Sequence, residues 1–246
     1  MIKNNLKLIV FLTVFGLVGG FFTALYTIES LDQAMIDEAL AQIGNIDILI
    51  AVITMQSLIY AVLLGLIGKI IAEKIGLWRK ISFESKPLIY TAIASVIGGM
   101  IFILADVFAF GKLIPAVMDS YASKPSVSYI IASITYGGVV EEVMLRLFFM
   151  SLIAFVISRL SKDKTVNDTH IIIANIAAAL LFAAGHIPAT VQMIGISPLI
   201  VFRCFLLNGG FGLIFGRMYR KYGIQYAMLT HAGVHIISKL IWILFI

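Results

Sequence analysis

Seven stretches of this chain, 17 to 31 residues long, run with almost no charge. This constrains the fold more than any motif does. A helix of about 20 apolar residues crosses the ~30 Å hydrocarbon core of a bilayer. The stretches cover residues 6–28, 46–71, 87–110, 127–157, 171–191, 199–215 and 224–246. Only 13% of the chain is charged, against roughly 25% for a soluble domain. Apolar residues make up 61%. So little polar material cannot cover a soluble surface, which excludes an ordinary cytosolic enzyme and a disordered chain. The single cysteine, Cys204, excludes a disulfide-stapled secreted domain and reads as a small buried hydrophobe. The expected fold is all-α, a polytopic transmembrane bundle of seven to eight helices.

The fourth run is too long for one straight crossing and contains Gly137-Gly138. A short segment followed by a helix would raise the count to eight. All five prolines lie at or outside span ends, where a missing N–H does least harm. The first run is longer than a signal-peptide core and lacks a following small-residue cleavage site, so a retained helix is expected. Basic residues set the orientation. Lys3 and Lys7, then Lys74, Arg79, Lys80 and Lys86, then Arg159, Lys162 and Lys164, then Arg217, Arg220 and Lys221 fall on one side. Only Lys112 and Lys124 fall on the other. This places the N-terminus in the cytoplasm of a multi-pass cell-membrane protein. It also accounts for the net charge of +5 without a nucleic-acid partner. The Ile- and Lys-rich composition and short loops point to a bacterial source. No internal repeat, low-complexity tract or linker divides the chain, so one membrane domain is expected. Gly16/Gly20 and Gly212/Gly216 have the spacing that lets helix backbones approach closely.

Charge at the bilayer centre costs at least ~2.5–3.5 kcal/mol per residue on insertion scales, so deep ionisable groups carry information. Lys69 and Lys239 lie near span ends, within reach of the interface by snorkelling. Asp106 is within four residues of its span's end and reads as interfacial; Arg203 is near the start of its own. The anomaly is Glu141-Glu142-Val-Met-Leu-Arg146, in the middle of the longest run. Glu142 and Arg146 are i,i+4 on one helical face and can pair. Glu141 is turned ~100° from Glu142 and lacks that partner. A carboxylate left unpaired in an apolar site suits a general base. The same three residues also fit an ion cluster that locks two helices.

The histidines add to this cluster. His170 lies in a polar loop and reads as solvated. His186 closes Phe182-Ala-Ala-Gly-His186, and His231 and His235 share a helical face at i,i+4. An i,i+4 histidine pair with a carboxylate is also a zinc-binding pattern, although the Glu of H-E-x-x-H is absent.

Glu141-Glu142-x-x-x-Arg146, then Phe182-x-x-x-His186, then His231 in the last span resembles the CPBP family of intramembrane proteases. That family includes CAAX prenyl endopeptidases and bacterial Abi-type bacteriocin-processing and self-immunity proteins. The run Asn208-Gly-Gly-Phe-Gly and the segment Tyr222 to His231 also look like it. The resemblance covers residues 127–246 as a catalytic core, while residues 1–126 match only as generic membrane helices. It implies that Glu141 and His186 jointly activate a water and that Glu142 and Arg146 support them. It implies that His231 and the residue four after it polarise the scissile carbonyl. That last residue is usually Asn in the family; here it is His235. A neutral histidine can still donate a hydrogen bond. The exchange also fits an added metal ligand or an inactive member.

The resemblance thus implies an endopeptidase acting on a hydrophobic or lipidated peptide or protein within the bilayer. It leaves open a divalent metal such as zinc, held among Glu141, His186, His231 and His235, against a glutamate-dependent mechanism with no cofactor. The alternatives are a non-proteolytic immunity or scaffold protein and, with less support, a proton-coupled transporter. One tension remains. By helical rise Glu141 and His186 lie more than ~20 Å into their spans but His231 only ~10 Å into its own. For these residues to meet, helices must tilt, break or start elsewhere.

Overall fold

A computed structural model describes residues 2–246, with side chains from Asn5 onward; Lys3, counted above among the basic residues, lies outside the described side chains. In chain order the helices are α1 (Ile2–Ser30), α2 (Gln33–Ile43), α3 (Ile46–Lys74), α4 (Ser85–Leu113), α5 (Pro115–Ser120), α6 (Val127–Leu160), α7 (Asp168–Gly185), α8 (Ile187–Ile194), α9 (Pro198–Tyr222) and α10 (Ile224–Phe245). No strand occurs among the described residues. Seven helices are long and apolar enough to cross a membrane, with α7 and α8 counted together and α2 and α5 excluded. The caps follow the sequence. Asp32, Asn45, Asn167 and Ser197 each accept a backbone N–H three residues on, opening α2, α3, α7 and α9.

The long fourth run is one continuous helix of 34 residues, so no eighth crossing arises from it. Instead α6 widens into π-helical turns over Ser133–Glu141 and Val143–Met150. It is the most buried span and forms the hub of the bundle. Neighbours reach it through glycines. A Cβ on Gly68 of α3 would lie 2.7 Å from the Leu147 carbonyl oxygen, and one on Gly138 would lie 3.0 Å from the Ala232 Cα of α10. Gly16 and Gly20 of α1 lie against the backbone of α3 at Leu58 and Thr54. With no hydrophobic drive inside lipid, this close backbone approach supplies much of the attraction.

The depth mismatch is resolved at the start of α10. Ile224, Gln225, Tyr226 and Ala227 are all buried, so this helix begins inside the protein. The segment after α3 covers it. The Glu84 N–H donates to the Tyr226 hydroxyl at 2.7 Å, Gln225 donates to the Ser82 carbonyl at 3.1 Å, and Phe83 packs on Tyr226. Seven residues into α10, His231 is therefore already level with Glu142.

Three placements differ from expectation. His170 is buried in the first turn of α7 rather than solvated. Lys239 does not snorkel; it is 4% exposed. Asp106 is not interfacial but 1% exposed, and Arg203 of α9 grips it with two hydrogen bonds of 2.5 Å. The Tyr121 hydroxyl adds a third at 2.7 Å. Burial, reinforced by the adjacent carboxylate, holds the Tyr121 phenol above its ordinary pKa, so it stays a donor. This pair joins α4 to α9, two helices far apart in sequence, and distance along the chain concealed it. Asp106→Asn leaves Arg203 facing a neutral partner. The expected cost is about 3 kcal/mol, read as a lower unfolding temperature in detergent, with a smaller loss of about 1 kcal/mol for Tyr121→Phe.

Candidate active site

The site is built where α6, α7, α9 and α10 meet. Glu142 and Arg146 are both completely buried and paired at 3.0 Å, as their i,i+4 spacing predicts. The guanidinium also donates to the Gly212 carbonyl at 3.1 Å and lies over the rings of Phe182 at 4.6 Å and Phe215 at 5.4 Å. Two aromatic faces, a carbonyl and a carboxylate surround this cation, while its Nε has no hydrogen-bond partner among the described residues. The same carboxylate oxygen of Glu142 lies 2.9 Å from His231 Nδ1. His231 stacks on Phe215 at 4.3 Å, which fixes the plane of its ring. With Nδ1 occupied, Nε2 is the remaining ring nitrogen.

His186 is positioned differently. The helix breaks there, because Gly185 ends α7 and Pro188 opens α8. At the break the His186 N–H donates to the Ala183 carbonyl at 3.1 Å, and the His186 ring reaches the Phe182 carbonyl through Nδ1 at 2.8 Å. A carbonyl can only accept, so the proton must be on Nδ1 and the Nε2 lone pair is free. The F-x-x-x-H spacing is therefore the spacing of a C-cap.

His186, His231 and His235 line one small cavity, walled by Phe102, Phe182, Phe211, Phe215 and Val234. Its volume of about 30 Å³ accommodates one or two waters. Asn208, on the π-helical turn Phe205–Gly209, also lines it. Sequence reading passed Asn208 over as part of a glycine-rich run; a polar amide in an apolar span was the available signal. Glu141 is not in the cavity wall, and no hydrogen bond joins it to His186 among the described residues. Its carboxylate comes up beside Gly137. A Cβ there would lie 3.8 Å from Glu141 Oε2 and 3.2 Å from His235 Nε2, so the two groups face one small space. The structure therefore separates the two glutamates, with Glu142 locked in an ion pair and Glu141 left without a partner. Among the described residues, no three His, Cys, Asp or Glu side chains converge as a metal site, so the proposed ligand set does not fit a bound metal in this arrangement.

Residues 123–237 match the family model described as Rce1-like, type II CAAX prenyl endopeptidase. The matched segment contains Glu141, Glu142, Arg146, His186, His231 and His235. Over that segment the chain is similar to the CPBP family of CAAX proteases. No curated protein and no solved structure matches it. The match stops at residue 237, and α1 to α5 lie outside it. Both sets of elements pack into one bundle, α1 and α3 lying directly on α6 of the CPBP segment.

Proposed function

We propose that the protein is an intramembrane endopeptidase using a Glu141/His186-activated water in CAAX-type or bacteriocin-related processing. The observation that carries this reading is the convergence of three histidines on a cavity of water size, with Glu141 unpaired beside one of them. His186 Nε2, its lone pair free, accepts a hydrogen bond from the water and orients it. Glu141 takes the proton as the water oxygen attacks the scissile carbonyl carbon. His235 donates to the developing oxyanion, and His231 does so in its imidazolium form, with Nδ1–H held by Glu142 and Nε2–H turned to the oxyanion. When the C–N bond breaks, the proton on Glu141 passes to the leaving amine. The apolar walls suit a hydrophobic or lipidated peptide. The basic residues favour an N-terminus in the cytoplasm, which with seven crossings puts the C-terminus outside.

Cleavage assays with the purified, lipid-reconstituted protein test this reading. Farnesylated C-terminal peptides and double-glycine leader peptides are the two substrate panels. Gly137→Ala gives a specific control. Its methyl would fill the space shared by Glu141 and His235 while meeting only side-chain tips. Activity should fall by about 10²-fold with the unfolding temperature unchanged. Failure of the wild type to cleave any peptide would favour the scaffold or immunity reading, for which His235 in place of Asn speaks. Proton flux into liposomes would favour a transporter. Elemental analysis with a chelator series decides between metal and glutamate dependence.

A further inference from the structure

We infer that Lys239 is a positioning residue: it fixes which ring nitrogen of His235 carries the proton, turning that histidine into a one-sided donor. The inference rests on the oxyanion role proposed for His235. An asparagine amide at this position always has N–H groups to offer. A neutral imidazole has one N–H, on either nitrogen, and donates into the site only if the proton is on the nitrogen that faces it.

The surroundings of His235 differ on its two sides. Lys239 Nζ lies 3.4 Å from Nδ1, one helical turn further along α10. An ammonium group has donors and no acceptor, so Nδ1 must accept and the ring proton is placed on Nε2. Nε2 is the nitrogen that faces Gly137 and the Glu141 carboxylate. The ring of His231 stacks on the same imidazole at 4.9 Å. Lys239 is otherwise hard to account for. It is buried in a membrane-spanning helix, and no carboxylate lies within ion-pair distance of it among the described residues. Its other partner is the face of Tyr129, 4.2 Å from Nζ, which supports a cation there. His231, His235 and Lys239 thus form a ladder at i, i+4 and i+8, each rung within reach of the next.

The test uses the full-length protein with ¹⁵N-labelled histidine. In the wild type, His235 should show a protonated Nε2 and a bare Nδ1; a proton on Nδ1 would overturn the inference. Lys239→Met should give a mixture of the two forms. Its kcat should drop by about tenfold or more with KM little changed, as expected when a transition-state donor is present only part of the time. The decisive comparison is made in a His235→Asn background, where no tautomer remains to be set. There, adding Lys239→Met should lower kcat no further. An equal loss in both backgrounds would mean that Lys239 acts only through packing, and the inference would fail. If the wild type cleaves nothing, the proposed function fails, while the spectrum of His235 still decides the role of Lys239.

Discussion

Glu141→Gln is expected to reduce peptide cleavage by about 10²–10⁴-fold while leaving the unfolding temperature of the purified protein unchanged. Gln keeps the volume and hydrogen-bonding shape of Glu but cannot take a proton. Glu141 has no ion-pair partner among the described residues, so removing its charge strands no cation. Single-turnover assays alongside thermal unfolding in detergent read both quantities from one preparation. Retention of wild-type kcat by the Gln variant would remove Glu141 from the mechanism.

The neighbouring substitution should behave in the opposite way. Glu142→Gln is expected to cost about 3–5 kcal/mol, because it leaves the Arg146 guanidinium, itself fully buried, without its counter-charge. Much of the protein should fail to reach a folded, monodisperse state. Removing both charges together, as Glu142→Gln with Arg146→Met, should recover stability well beyond the sum of the single losses, since the stranded cation is gone. The rescued protein should remain poorly active. The amide oxygen of the Gln can still accept from His231 Nδ1, but it carries no charge, so the imidazolium that donates to the oxyanion loses its counter-charge. Equal stability of the Glu141→Gln and Glu142→Gln proteins would contradict this division of labour between adjacent residues.

Much of this contrast was legible in the sequence. The i,i+4 spacing of Glu142 and Arg146 is a local geometric fact, and a helix must bring them together. The same holds for His231 and His235. The spans were legible too, because an apolar run long enough to cross a bilayer has few other places to go. Depth and partnership between helices were not. Asp106 and Lys239 read as interfacial because position along a span was the only available measure of depth. Arg203 lies 97 residues from Asp106 in the chain. The run 127–157 read as too long for one crossing because π-helical turns within α6 leave no simple mark in sequence.

By itself, the sequence determined an all-helical membrane bundle and marked out the acidic and histidine residues that its apolar setting makes expensive. That follows from local physics, since helix period and bilayer thickness act on each segment separately. Only the tertiary structure decided which of those residues share a site and which ring nitrogens face it. The buried start of α10 raises His231 to the level of Glu142, and the break at Gly185 turns His186 into a cap with a free Nε2. The close approach at Gly137 brings Glu141 and His235 to one space. These are properties of how helices are offset and stacked, and helix offset is set by packing between segments rather than within any one of them.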